Sequence, residues 1–384
     1  MKRLRTQVSY YKIVSAISLS GDYCVITMKH DDIYIDKVLS YSIMRKALNK
    51  CCRNVRWKDS IVGYELHAPE HTYNLIEEIK TGKYKISDYQ RFTIHEPKER
   101  EIVATRIRDR QVQMAMCLGG LYDDITEHFI YDNCACQIGK GTDFALNRVR
   151  THLLKFYRQH NSNGYVLKLD VKHFFPSTLH SVAKRAIKKR VTDPTIYKMV
   201  CDIIDSFEGD KGIGLGSQIS QLVELAVLDD IDHFIKEKLH IKYYVRYMDD
   251  MVLIHEDKEY LRYCWREIEK ELNKIHLELN KKSCMYPLSQ GVKFLHWRFI
   301  LTQNGGVNRK FDKTKIAKER CRLKALLIKE MNGNVECGTA HRSLEAWCAN
   351  ADRGDTFFQQ KRMRKYYKQV KGALYGNNNS RMVA

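Results

Sequence analysis

Two adjacent aspartates, Asp249 and Asp250, stand between the runs YYVRY and MVLI, and this stretch constrains the chain more than any other. β-Branched, aromatic and aliphatic residues on both sides of a two-residue break read as the strands of a hairpin. Carboxylates side by side at a tight turn between apolar strands repel each other and lose hydration. That is costly unless a cation offsets their charge. An Asp-Asp pair by itself marks only a polar turn, and Asp123/Asp124 and Asp229/Asp230 are read so, on helix surfaces or in loops. The setting of Asp249/Asp250 differs because a second strand lies upstream. In residues 165–171 the apolar positions are 165, 167, 169 and 171, and Lys168 and Asp170 fall on the opposite face, as period-two geometry requires. Asp170 thus ends a strand just before the turn KHFFPS.

Carboxylates fixed at strand ends suit phosphoryl or nucleotidyl transfer, which needs positive charge beside the reacting phosphate. Mg²⁺ supplies it and takes hard oxygen ligands. Two such ions roughly 3.5–4 Å apart stabilise both the attacking and the leaving oxygens. Asp170, Asp249 and Asp250 are therefore the candidate metal ligands, for two Mg²⁺ ions with Mn²⁺ as a substitute.

Charge points to the partner. Lys and Arg number 66 against 46 Asp and Glu in 384 residues, a formal net charge of +20, which attracts polyanions. Nucleic acid, an anionic membrane surface and an acidic protein all fit that charge. No apolar run approaches the roughly 18–20 residues of a spanning helix, and the basic N-terminus is too interrupted for a signal peptide, so the expectation is a cytoplasmic protein outside the membrane. The 12 cysteines are scattered without paired-thiolate spacing and read as free thiols rather than zinc ligands.

The remaining pattern predicts an α+β chain. Helices are expected near 36–53 and 69–81, from about 109, over 145–160, 178–190, 194–207 and 258–275, and in one starting at Leu222 after the glycine-punctuated GDKGIGLGSQISQ. A short strand is expected over 277–279, a further hairpin in VKFLHWRFILTQNGGVNRKF, and a basic helical lobe from about Lys313.

With these residues in order, the chain resembles a reverse transcriptase of the retroviral and group II intron superfamily over roughly residues 95–350. LDVKHFFPS resembles the first catalytic-aspartate motif and YMDD the second. SQISQ after Leu215-Gly216 resembles the nucleotide-contacting turn, LELNKKS the lysine motif, VKFLHWRF the primer-grip hairpin, and EPKEREIVATRIRDRQVQ the fingers. The resemblance implies a right-hand polymerase fold with four parts. These are an N-terminal extension and start of fingers (1–94), fingers (95–164), palm with fingers insertions (165–300), and thumb with a basic tail (301–384). It implies metal contacts from Asp170, Asp249, Asp250 and the Val171 carbonyl, and Lys282 as the proton donor to leaving pyrophosphate. It also implies nucleotide contacts from Lys98, Arg100, Phe175, Leu215, Gly216 and Gln221, with Phe175 as the gate against a ribose 2′-hydroxyl. The primer grip would be Phe294, Leu295, His296 and Trp297. The implied substrates are a structured RNA template, a DNA or RNA primer and deoxynucleoside triphosphates.

Two departures narrow the resemblance. Leu215 stands where most group II-like enzymes carry Gln, and Gln221 where they carry Pro; this form, with SLEAWCANADRGDTF downstream, is similar to the enzymes of diversity-generating retroelements. Those copy RNA with errors opposite adenine and act with a small, basic accessory protein oligomer. His296 stands where the primer-grip motif has Gly. No endonuclease or RNase H pattern follows the thumb, so the expectation is a bare polymerase encoded by a bacterium, archaeon or phage. A defence-associated or retron-type enzyme stays open, although retrons carry Tyr-Ala-Asp-Asp where Met248 stands here. So does a non-catalytic RNA-binding protein on a polymerase fold, against which the three aspartates count.

Overall fold

The computed structural model describes residues 14–17, 23–26, 30–95 and 99–379. The chain falls into two compact units, each assembled from separate stretches. One takes its residues from 1–131, 172–233 and 270–278, the other from 132–171, 234–269 and 279–384.

The first unit is mostly helical and carries two small antiparallel hairpins. β1 (Val14–Ile17) pairs with β2 (Tyr23–Ile26), and β3 (Gln90–Ile94) with β4 (Arg100–Ala104). The helix expected near 36–53 is two helices, His30–Val38 and Tyr41–Cys52. Ser40 makes the break, because its side chain accepts the Ile43 N–H and caps the second helix. Leu48, Cys52, Ile61 and Ala68 close a small core between that helix and the next two. The helix Ile107–Met116 turns polar side chains inward as struts. Gln111 donates to the Met44 carbonyl and to Thr72, and Asp109 accepts from the Tyr84 hydroxyl. The Asp229/Asp230 pair corrects a reading made from sequence. Asp229 lies buried against Arg190, also buried, and only Asp230 faces solvent. A buried carboxylate survives because a charged donor meets it.

The second unit rests on an antiparallel sheet in the order β6-β7-β5-β8, where β5 is Tyr165–Asp170, β6 Tyr243–Tyr247, β7 Asp250–His255 and β8 Cys284–Pro287. Val166, Leu167 and Leu169 of β5 and residues 251–254 of β7 are all buried, as central strands covered on both faces must be. A three-stranded sheet in the order β11-β10-β9 follows, with β9 Val292–Phe294, β10 Trp297–Leu301 and β11 Val307–Phe311. Helices Thr142–His160, Lys313–Met331, Thr339–Ala351 and Phe357–Asn379 complete the unit. One core runs through both sheets and these helices, from Leu153 and Phe156 through Phe294 and Trp297 to Leu344 and Met363. The strand expected over 277–279 is a single bridge, Leu279 to Val171, and the paired strand is β8 instead. The intervening turn explains the shift. Asn280 donates to the Asp170 carbonyl at 2.7 Å and Asp170 donates to the Ser283 hydroxyl at 3.2 Å, so the chain is spent on β5's end before pairing resumes. Among the described residues, no helix is long and apolar enough to cross a membrane.

A buried charge cluster sits against β6. Asp132 receives Arg148 Nε at 2.5 Å and has His152 Nε2 at 3.2 Å. Burial pushes the Asp132 carboxyl up, but hydrogen bonds from His152 and Arg148, together with their charge, outweigh it and hold the group at about 2. A carboxyl depressed on folding contributes stability above its unfolded value, near 3.9, and loses it as pH falls through the folded value. Asp132→Asn should cost about 2–3 kcal/mol at pH 5, a deficit that narrows as pH approaches 2. Urea unfolding of both proteins across that range checks it; a deficit independent of pH would refute the assignment.

Candidate active site

The pairing of β5 with β7 sets Asp170 directly opposite Asp250. β6 pairs with β7 so that Tyr247 faces Asp250, leaving Met248 and Asp249 as a two-residue turn. Met248 takes φ +55°, a left-handed conformation that favours glycine, and Asp249 does not. The sheet thus carries Asp170 and Asp250 across one ladder rung and Asp249 one residue away. All three side chains are half-buried. Val171 follows Asp170, is buried, and donates its N–H to the Asp249 carbonyl at 3.4 Å.

The electrostatics record crowded negative charge. Burial pushes the Asp249 carboxyl up to about 6; its own backbone N–H pulls it down, and the charges of Asp170 and Asp250 push it further up. Burial also raises Asp250, against the Lys168 ammonium, whose Nζ lies 3.0 Å from Oδ1. Lys168, two residues before Asp170 on the same strand face, is a site residue that sequence reasoning left unassigned. The alternation of β5 was the signal for it.

These three carboxylates fit a hard divalent cation by donor chemistry and by a negative charge that the Lys168 ammonium offsets only in part. Their spacing does not form a ready cage: among the described residues no group of three or more His, Cys, Asp or Glu side chains is gathered closely enough to hold a metal ion.

Lys282 is exposed in the turn that ties the Asp170 backbone, its N–H donated to Asn280 Oδ1. Of the primer-grip residues, Phe294 and Trp297 are buried in the core, while Leu295 and His296 form the turn between β9 and β10. Both turn residues have positive φ, +47° and +68°, the pattern of a type I′ hairpin turn. That explains why glycine suits this position; histidine pays some strain there. Burial and the Lys315 ammonium hold the His296 imidazole below its ordinary value, against the pull of Asp250.

The other expected nucleotide contacts lie in the first unit. Phe174 is buried and Phe175 half-buried, edge-on to it at 5.8 Å, with the Phe175 carbonyl accepting the Ile213 N–H. Leu215 is half-buried, and its carbonyl accepts the Val103 N–H of β4 at 2.9 Å. The following helix begins earlier than expected, at Gln218, because Ser217 caps it and donates to Gln113. Gln221 lies half-buried in its first turn. Arg100 is exposed at the start of β4; Lys98 falls outside the described residues.

Gly216 has φ +132°, and a Cβ there would lie 2.8 Å from the Val103 carbonyl oxygen. Backbone on one side and strain on the other leave room only for glycine. Gly216→Ala should therefore cost about 1–3 kcal/mol and displace the Leu215 turn. An unchanged urea midpoint would show that the turn adapts freely.

The family described as reverse transcriptase (RNA-dependent DNA polymerase) matches residues 97–299, just over half of the chain. No curated protein matches it. Among solved structures, telomerase from Candida albicans in complex with a TWJ fragment of telomeric RNA is similar at 10% identity and a TM-score of 0.47, over 78% of this chain and 62% of that one. Apo telomerase from Candida tropicalis is similar at 12% identity and a TM-score of 0.47, over 79% of this chain and 67% of that one. The same protein truncated from its C-terminal domain gives 13% and 0.45, over 64% and 60%. The chain thus spans about three fifths to two thirds of the telomerase chains it matches. With its paired strand-end aspartates inside the matched span, the chain belongs to the reverse transcriptase (RNA-dependent DNA polymerase) family and has that family's right-hand polymerase fold, mixed helix and antiparallel sheet.

Proposed function

We propose that this chain synthesises cDNA on a structured RNA template from a DNA or RNA primer, as the polymerase of a diversity-generating retroelement, with errors concentrated at template adenines. The observation that carries the catalytic part is the rung that sets Asp170 opposite Asp250 with Asp249 in the adjoining turn. Bound Mg²⁺ would supply the positive charge that activates the primer 3′-hydroxyl and stabilises the departing pyrophosphate, with Mn²⁺ as a substitute. Asp170, Asp249 and Asp250 would hold it, with the Val171 carbonyl. Lys282 would protonate the pyrophosphate, and Phe175 would exclude a 2′-hydroxyl by size. Lys98 and Arg100 would contact the triphosphate; Leu215, Gly216 and Gln221 would line the nucleotide. Leu295 and His296, at the exposed turn, would meet the primer end over the packed Phe294 and Trp297.

The retroelement reading rests on Leu215, a side chain with no donor or acceptor, where a glutamine could steady a correct pair. One such contact is worth about 0.5–1.5 kcal/mol, or roughly tenfold in discrimination. The formal charge of +20 suits a long RNA and leaves a basic accessory oligomer to bind through that RNA or an acidic patch. The lobes would run as the fingers, palm and thumb set out from sequence, in a cytoplasmic enzyme.

Primer extension on a defined RNA template tests both levels. Asp170→Asn and Asp250→Asn should abolish extension and leave RNA affinity within about twofold; near-normal extension by either would sink the catalytic assignment. Deep sequencing of the wild-type cDNA should show misincorporation at adenine, reduced about tenfold or less by Leu215→Gln. A flat, low error spectrum would reject the retroelement reading alone.

A further inference from the structure

Arginine is out of place in the middle of a buried strand. Arg246 of β6 is fully buried, as are Tyr244 and Val245 just before it. A guanidinium there is tolerable only if its donors are used, and one of them is aimed at the catalytic turn: Nη1 donates to the Met248 carbonyl at 3.0 Å. The Arg246 backbone is held equally firmly. Its N–H donates to the Asp132 carbonyl at 3.1 Å and its carbonyl accepts the Cys134 N–H at 2.9 Å, so residues 132–134 run beside β6 as a short parallel bridge. Cys136 then brings its Sγ within 3.9 Å of Met248 Sδ.

Met248 needs such support. With φ +55° on a residue bearing a long side chain, the turn is strained, and the peptide that joins Met248 to Asp249 carries the carbonyl that Arg246 holds. Rotation of that peptide would swing the Asp249 carboxylate away from Asp170. Glycine, which adopts this φ without cost, is absent, so contacts around the turn must hold it.

We propose that Arg246 is a positioning residue: its guanidinium clamps the Met248 carbonyl, and through it the direction of the Asp249 carboxylate. This rests on the polymerase reading above only for its kinetic arm. The role is not general core filling, because a hydrophobic side chain of similar length would fill the space and leave the carbonyl unheld.

The test compares the full chain with Arg246→Lys and Arg246→Met. Mn²⁺ binding is titrated by electron paramagnetic resonance without nucleotide, and single-turnover nucleotide addition is measured on an RNA template, per folded molecule. Arg246→Met should weaken Mn²⁺ binding and lower the maximal rate by about tenfold or more, with the KM for deoxynucleotide within about twofold. Arg246→Lys, which keeps one donor, should recover part of both. Wild-type Mn²⁺ affinity and maximal rate per folded molecule in either variant, with only a lowered Tm, would overturn the proposal. If Arg246→Met does not fold, the Lys variant decides it by the same two readouts. A wild type that binds Mn²⁺ but extends no primer would count against the polymerase reading, and the binding comparison would still judge Arg246.

Discussion

The ladder between β5 and β7 places one carboxylate opposite another, and much of the second unit serves to hold that rung. Asp170 and Asp250 face each other because the register runs from Tyr165 against His255 down to this last pair. A slip of one residue would send both to the opposite face. Burial on both faces of β5 and β7, Val166, Leu167, Leu169 and residues 251–254, makes that slip expensive, since each packed side chain would lose the neighbours that it fits. The placement of the carboxylates is thus a by-product of apolar packing. The charge it creates is met by Lys168 at Asp250, and Asp249 is left with a carboxyl raised to about 6.

Around that rung the chain repeatedly uses backbone to secure backbone. The turn at Asn280 and Ser283 grips both the carbonyl and the N–H of Asp170. Arg246 grips the carbonyl of Met248, and Val171 donates to the carbonyl of Asp249. Each metal-ligand candidate therefore has at least one neighbour whose orientation is fixed by a hydrogen bond, which is how groups on strand ends and turns gain rigidity.

The parts legible from sequence were those written in local period. β5 could be read from alternation and β6 and β7 from their apolar flanks; with them came the three aspartates. What escaped was long-range. Asp229 read as a helix-surface or loop residue and Arg246 drew no reading of its own, because nothing in their neighbours announces a buried partner or carbonyl. β8 was misplaced because Leu277 and Leu279 alternate as a strand would, while the chain there is committed to the Asp170 turn. The substitution of His296 for glycine became intelligible only with its positive φ and that of Leu295, which no composition reveals. Long-range hydrogen bonds and backbone dihedrals leave little trace in periodicity.

The central claim is that these three carboxylates form one cation-dependent centre. Anomalous scattering from crystals of the full chain grown with Mn²⁺, an RNA template–primer and a non-hydrolysable deoxynucleotide tests it directly. The account predicts manganese peaks bridged by Asp170, Asp249 and Asp250, about 3.5–4 Å apart if two ions bind. Peaks only elsewhere, with Asp250 still held by Lys168, would contradict it.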